Sequence, residues 1–209
     1  MYAFHKTHPY SNSSNIVLVA PTWGAANILE TCGEQLISLL LQSGYEVTLR
    51  PHPEIVKRTP KLLSRYDALF GKNKNFTLEQ SVVSFESVIN ADVLITDYSG
   101  IAFEYAFGTE RPVIYLDVPP KIKNKQFNHL DIEPLDYKLR SEIGVCISPD
   151  EITAVPSAIA KLIKEREAYK DRIINFREQF VFSFGSSSDI SARYIMAVAN
   201  EKQPMHSRN

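Results

Sequence analysis

The tetrapeptide DYSG at positions 97–100 offers the clearest anion-binding chemistry in the sequence. It follows a buried-type strand pattern over 92–96 and precedes a helical pattern over 101–107. The first turn of a helix presents unpaired backbone N–H groups and a positive dipole end, which favour a phosphate there. The Ser99 hydroxyl can add a donor, and Gly100 lets a phosphate approach the backbone. The alternative is that these residues form only a turn and a helix cap.

A histidine at the end of the second predicted strand is another candidate. His52 lies between Pro51 and Pro53, which restrict the backbone and aim the side chain. A histidine facing an anion site can donate to phosphate and become charged as phosphate arrives. The alternative is a hydrogen-bonded structural histidine. Arg50, just before it, either pairs with phosphate or is a charge at the sheet edge.

Three further polar residues occupy positions where a ligand is expected. Glu104 lies about one and a half turns into the helix that begins near Ser99, so its carboxylate can accept from both hydroxyls of a ribose. A solvated helix position is the alternative. Asp117 ends the fifth predicted strand, where it caps a loop or contacts a ligand. Thr22 follows the first strand in a turn that we expect to face the acceptor.

Missing motifs and composition exclude several classes of function. Neither GxGxxG after the first strand nor a Walker-type GxxxxGK[ST] occurs, so we expect no dinucleotide cofactor. The five histidines and two cysteines show no metal-ligand spacing, and we expect no metal. Lys and Arg number 23 against 24 Asp and Glu, which argues against nucleic acid as a partner.

Hydropathy places the chain outside the membrane. No stretch approaches the roughly 18 to 20 apolar residues of a membrane span, and the first residues lack the apolar core of a signal peptide. We therefore expect a cytoplasmic protein whose membrane contact, if any, is peripheral, at the inner face. One predicted loop is basic, with Lys121, Lys123 and Lys125. An anionic membrane surface would attract this loop, and the alternative is that its lysines are only solvated.

Alternating strand and helix patterns predict the fold class. Six strands are expected, at 16–20, 45–50, 76–79, 92–96, 113–116 and 145–148. Helical patterns lie between most of them and continue to about residue 200. Apolar strands joined by helical crossovers indicate a doubly wound, Rossmann-like parallel sheet of the α/β class. We expect a polar lead-in over 1–14, one nucleotide-binding domain over 15–200 and a tail over 201–209.

Local signals predict several helix boundaries. Thr31 and Glu34 form a capping-box pattern that opens a helix through Leu41. Pro60 is expected to split a helix over 55–69, and another short helix is expected over 82–90. Residues 118–140 are expected to be irregular. Because ligands bind at the carboxyl ends of parallel strands, we also expect the ends of the second and fourth strands to lie side by side.

Four segments, in order, resemble the CDP-glycerol glycerophosphotransferase family of teichoic-acid synthesis. They are APTWG, RPHPE, ADVLITDYSGIAFEYA followed by RPVIYLD, and FSFGSSSDISARYI. The resemblance covers about residues 15 to 200. It implies the two-lobed GT-B architecture, of which this chain resembles the C-terminal, donor-nucleotide lobe.

The resemblance also implies roles for individual residues. His52 and Ser99 would contact the donor pyrophosphate, with His52 as the catalytic residue that stabilises the leaving phosphate. Glu104 would help to hold the nucleotide. The residues that shape the pocket would be Thr96, Asp97 and Gly100.

Three positions depart from the family pattern. The family commonly has a second serine where this chain has Gly100 and an aspartate where it has Glu104, and an acidic residue usually precedes the late glycine, where this chain has Phe184. These departures leave the base and the transferred group open, so CDP-ribitol or a nucleotide sugar can replace CDP-glycerol.

The implied reaction transfers glycerol phosphate from CDP-glycerol to a hydroxyl of a membrane-anchored polymer and releases CMP. The general base would lie on an N-terminal acceptor lobe, and only about 14 residues precede the first strand here. We therefore expect this chain, as the donor half of a transferase, to be inactive alone. Two alternatives are the donor lobe of another GT-B enzyme or UDP-N-acetylglucosamine 2-epimerase relative, and a non-enzymatic binding module.

Overall fold

The structure, a computed structural model, describes residues 15–120 and 134–201. Its strands form one parallel sheet in the order β3-β2-β1-β4-β5-β6. They are β1 (Ile16–Val19), β2 (Glu46–Leu49), β3 (Phe76–Leu78), β4 (Val93–Thr96), β5 (Val113–Leu116) and β6 (Gly144–Ile147). The strand order reverses between β1 and β4, as in doubly wound nucleotide-binding folds. The predicted fold class is therefore confirmed.

Ten α-helices and one 3-10 helix are present in the described ranges. Those before β4 are α1 (Ile28–Thr31), α2 (Gly33–Gln42), α3 (Pro53–Arg58), α4 (Pro60–Phe70) and α5 (Glu86–Asn90). Those after it are α6 (Ile101–Thr109), α7 (Leu135–Ile143), the 3-10 helix (Pro149–Ala154), α8 (Val155–Lys164), α9 (Arg166–Phe180) and α10 (Ser187–Glu201).

Strand composition explains why helices cover both faces of the sheet. Every residue of the interior strands β4 and β5 is buried. Side chains of consecutive strand residues point to opposite faces, so a run such as Val93-Leu94-Ile95 needs an apolar partner on each side. The core accordingly lies between the sheet and two helical layers.

One topological expectation was wrong. The second and fourth strands are not direct neighbours, because β1 pairs with both of them. Val17 aligns with Val47 on one side and with Val93 on the other. All three strands run parallel, however, so their carboxyl ends still open at the same edge of the sheet. The predicted ligand edge is therefore built from three strands.

One signal for a helix start and one for a helix end were confirmed, and another signal for a helix start was wrong. Thr59 has a non-helical backbone, and Pro60 begins α4 as a separate helix, as predicted. Gly44 has φ +85°, which glycine adopts readily, and it follows the end of α2. Thr31 does not cap a helix. It ends α1, and its hydroxyl donates to the Asn27 carbonyl instead.

Two other stretches differ from expectation. Residues 82–85 precede the first turn of α5 and are not helical. Part of the stretch expected to be irregular forms α7, whose residues Leu135, Leu139 and Ile143 repeat at helical spacing. This helical spacing is present in the sequence, but the prolines that precede it led to the prediction of an irregular segment.

Several expectations concern residues outside those described. They are the lead-in over 1–14, the lysine-rich loop within 121–133, and the tail beyond residue 201. Within 15–120 and 134–201, no helix combines the length and hydropathy that crossing a bilayer requires.

Candidate functional site

One cavity of about 390 Å³ lies at the carboxyl ends of the central strands. It brings His52, which follows β2, together with Ser99 and Gly100, which follow β4. Glu104, from the first turn of α6, also lines it. The sequence-predicted anion-binding residues therefore share one pocket.

The start of α6 lines the pocket with Gly100 and Ile101. Gly100 is the N-cap residue of α6. Because glycine has no side chain, no side-chain hydrogen bond caps the amides of the first turn. A Cβ atom built at Gly100 meets nothing within 4 Å, and its φ of −59° suits any residue. The pocket therefore has open space beside Ser99, where the resembling family commonly has another serine.

His52 has a structural task, which the sequence left open as the alternative to phosphate binding. It is the N-cap of α3, and its Nδ1 accepts a hydrogen bond from the Glu54 backbone N–H at 3.1 Å. Because Nδ1 acts as an acceptor, the neutral ring carries its proton on Nε2. The predicted charging of His52 by phosphate would turn Nδ1 into a donor and break this cap. The geometry instead favours a neutral Nε2–H donor.

The Trp23 ring lies beside His52. The centroid of the Trp23 ring lies 6.1 Å from that of His52. The guanidinium of Arg58, a residue of α3, lies 5.3 Å from the centre of the indole. Thr22, the preceding residue, is half-buried, and its backbone N–H donates to the Asp97 carboxylate at 2.7 Å. The turn after β1 is thus held in place from β4.

Asp97 and Thr96 shape the pocket from beneath rather than lining it. The fully buried Asp97 carboxylate also accepts from the Ile28 N–H at 3.3 Å, so it holds both ends of the β1–α1 loop. Burial raises the pKa of this carboxyl, and the backbone donors oppose that shift. The Thr96 hydroxyl donates to the Ala20 carbonyl at 2.6 Å. Neither side chain is placed to contact a ligand in the pocket.

Arg50 lines the pocket, yet its guanidinium is occupied by the protein. The side chain is only 6% exposed and forms an ion pair with Glu79 at 3.1 Å. It also donates to the Val82 and Ser84 carbonyls at 3.1 and 2.8 Å. The expectation that Arg50 binds phosphate is therefore not supported by its contacts.

Asp117 belongs to a neighbouring cluster that lies outside the cavity. Its carboxylate lies 2.7 Å from Nη2 of Arg140, a buried residue of α7. The Arg140 guanidinium lies 4.5 Å from the Tyr98 ring centre and 4.7 Å from that of Tyr115. Tyr98 immediately precedes Ser99, so this cluster adjoins the residues that lead into α6.

The apolar part of the pocket was not predicted from the sequence. Val82 and Phe85 line it, and their side chains are 41% and 46% exposed. A signal was available, since the stretch SVVSF combines apolar residues with serines between a weak strand and a buried one. The stretch was interpreted as the start of a helix, which assigned its apolar residues to the core.

The late glycine-rich segment lies outside the pocket. The Phe184 ring lies 4.6 Å from the Arg177 guanidinium, at the position where the resembling family usually has an acidic residue. Gly185 has φ +78° and turns the chain toward α10. Within the described residues, no group of three or more His, Cys, Asp and Glu side chains is arranged to hold a metal ion.

Two solved structures share this fold. The glycotransferase of kitacinnamycin superposes with a TM-score of 0.56 at 14% identity, over 89% of this chain and 44% of that protein. UDP-GlcNAc 2-epimerase from Neisseria meningitidis, solved with UDP-GlcNAc, gives 0.52 at 13% identity, over 90% and 45%. These likenesses concern the fold, and they agree with the predicted GT-B lobe.

Comparison with sequence relatives is more specific about the family than the likeness in fold. The teichoic acid ribitol-phosphate primase of Bacillus spizizenii (strain ATCC 23059 / NRRL B-14472 / W23) is 27% identical over 205 residues. The alignment covers 92% of this chain and 46% of the primase, so the chain spans about half the length of that relative. The family model for CDP-Glycerol:Poly(glycerophosphate) glycerophosphotransferase matches residues 3–189, which include all six strands and the whole pocket. The chain therefore belongs to the CDP-glycerol:poly(glycerophosphate) glycerophosphotransferase family.

Proposed function

We propose that residues 15–200 form the donor-binding domain of a CDP-polyol phosphotransferase that acts in the synthesis of a teichoic-acid-type polymer. Family membership supports the class of reaction. The transferred group would be glycerol phosphate or ribitol phosphate, since the matched primase is named for ribitol phosphate. The acceptor would be a hydroxyl of a membrane-anchored polymer.

The observation that carries the proposal is the mixed character of one cavity. A helix N-terminus, a hydroxyl and an imidazole N–H are suited to phosphate oxygens, and Glu104 is suited to ribose hydroxyls. The exposed side chains of Val82 and Phe85 in the same cavity are suited to a nucleobase, because aromatic faces bind bases by stacking. A nucleoside diphosphate needs all three kinds of contact at once.

The proposed chemistry is a displacement at phosphorus. The acceptor oxygen attacks the phosphorus that bears the polyol, and the bond from that phosphorus to the oxygen bridging the two phosphates breaks. CMP leaves with the bond's electron pair, and the acceptor proton passes to a base outside this pocket. The α6 amides, Ser99 and His52 would stabilise the charge that develops on the departing phosphate.

Calorimetric titration of the chain with cytidine, CMP, CDP and UDP tests this function. We expect CDP to bind more tightly than CMP, and cytidine to bind weakly, because the second phosphate adds contacts at the α6 N-terminus. A preference for CDP over UDP would support the cytidine donor, and the reverse preference would favour a uridine-linked donor. Equal affinity for cytidine and CDP would contradict the anion site and favour a module without this activity.

A further inference from the structure

We propose that Arg50 is a positioning residue that folds the 79–85 loop into the wall of the pocket that takes the donor nucleobase. The role rests on the proposed function, and it differs from the phosphate contact expected from the sequence. Arg50 acts through Val82 and Phe85 and does not itself contact the ligand.

The contacts of Arg50 are concentrated on this one segment. Its Nη1 donates to Glu79 Oε1, to the Ser84 carbonyl and to the Ser87 hydroxyl at 3.1, 2.8 and 3.1 Å. Its Nη2 donates to the Val82 carbonyl at 3.1 Å. These four bonds reach acceptors spread over the whole loop and the first turn of α5. One buried side chain at the end of β2 thus sets the path of a segment about thirty residues later.

Hydrogen bonds from Arg50 to these carbonyls explain why the helix predicted over 82–90 does not form over its first residues. In a continuous helix the Val82 carbonyl would accept from the Glu86 N–H. Here Arg50 takes that carbonyl, and the Glu86 N–H donates to the Ser84 hydroxyl at 3.1 Å. The helix therefore begins at Glu86, and Phe85 becomes its N-cap residue.

The loop conformation has a consequence for the pocket. Phe85 and Val82 keep almost half of their surface exposed and line the cavity, whereas Val83 between them is 89% exposed and does not line it. Apolar side chains held at a cavity wall gain burial when a flat ring covers them. A guanidinium suits this task because it offers several donors in one plane, whereas a lysine presents a single point charge.

The test separates nucleobase contacts from phosphate contacts. Wild type, Arg50→Met, Arg50→Lys and Phe85→Ala are titrated with CDP and with inorganic pyrophosphate. Arg65→Met is the matched control, since Arg65 is 65% exposed and forms its ion pair with Glu34 away from this cavity. We expect Arg50→Met and Phe85→Ala each to weaken CDP binding about tenfold and to leave pyrophosphate affinity within about twofold. Arg50→Lys should lie between wild type and Arg50→Met.

A double variant and hydrogen exchange make the assignment specific. If Arg50 acts through Phe85, the double variant Arg50→Met with Phe85→Ala binds CDP no more weakly than the worse single variant. Backbone amides over 80–87 should exchange faster in Arg50→Met and Arg50→Lys than in wild type. Should Arg50→Met fail to fold, Arg50→Lys and Glu79→Gln carry the same comparison.

Two results would overturn the proposal. If Arg50→Met weakened the binding of CDP and of pyrophosphate equally, Arg50 would contribute to phosphate binding or to general stability instead. Unchanged exchange over 80–87 would show that Arg50 does not organise the loop. If wild type binds pyrophosphate but not CDP, the nucleotide function itself fails, and the exchange arm still decides whether Arg50 organises the loop.

Discussion

At the scale of single residues, burial separates the groups that build the pocket from those that can bind in it. Asp97, Thr96 and Arg50 are almost fully buried, and their polar atoms are engaged with backbone groups. Ser99 and Glu104 are partly or fully exposed and line the cavity. A buried polar group must find a protein partner to offset its desolvation, and the partner then occupies the atoms that a ligand would need.

His52 allows the two tasks to be tested separately. Replacement His52→Ala removes both the cap of α3 and the Nε2–H donor, so we expect about 1 kcal/mol lower unfolding free energy and about 10- to 100-fold weaker CDP binding. His52→Asp keeps a capping oxygen for the Glu54 N–H but places a negative charge near the phosphates. Urea unfolding should show wild-type stability for His52→Asp, and calorimetry should show weaker CDP binding. Wild-type CDP affinity in both variants would remove His52 from the site.

At the scale of elements, each of two misjudged helix boundaries has an identifiable cause. The α5 start was placed too early because the periodicity over 82–90 is helical, and Arg50 overrides it through carbonyls that sequence alone cannot assign. The capping box at Thr31 was wrong because Asn27, four residues earlier, caps α1 with its own side chain. Two adjacent short helices then replace the single one expected.

Two glycines at helix ends give an element-scale prediction. Neither Gly100 nor Gly44 would bring a new Cβ within 4 Å of another group, so only backbone conformation distinguishes them. Gly100→Ala should raise the unfolding free energy by about 0.5 kcal/mol, because its φ is negative and alanine lowers the entropy of the unfolded chain. Gly44→Ala should lower it by about 1 kcal/mol, because its φ is +85°. Urea unfolding of both variants provides the measurement, and a loss of stability in Gly100→Ala would contradict the open space beside Ser99.

At the scale of the whole molecule, an arginine of α9 links the C-terminal helices to α6, the helix whose first turn lines the pocket. Arg177 of α9 donates to the Phe107 carbonyl at 2.7 Å and pairs with Glu110 at 3.0 Å, at the end of α6. The opposite end of α6 lines the pocket. In contrast, α10 has no buried side chain among its described residues, and Tyr194, Ile195 and Met196 are more than 60% exposed.

This contrast predicts how stability is distributed. Arg177→Met leaves Glu110, only 14% exposed, without its ion-pair partner at the C-terminal end of α6, and we expect about 3 kcal/mol lower unfolding free energy. Arg193→Met, on the exposed α10, should change it by less than about 0.5 kcal/mol. Thermal or urea unfolding distinguishes the two. Similar losses in both variants would mean that α10 contributes to the folded core.

Sequence alone was enough for the parts of this protein that depend on near neighbours in the chain. Continuous apolar runs located β1, β4 and β5, because strands buried on both faces are recognised from their own residues. The other three strands were predicted from weaker, partly polar patterns. The strand–DYSG–helix order predicted an anion site at the α6 N-terminus and the flanking prolines singled out His52, and the structure brings these residues into one cavity. The family followed from short segments kept in order, and the family match confirms it.

Tertiary structure decided the roles that depend on partners far away in the chain. Arg50 meets its acceptors 29 to 37 residues later, and Asp97 meets the Thr22 N–H 75 residues earlier. An arginine before a proline and histidine looks the same in sequence whether its guanidinium faces a phosphate or the protein's own carbonyls. The choice is made by which backbone groups the fold buries beside it, since a buried carbonyl without a donor is costly and the nearest guanidinium satisfies it.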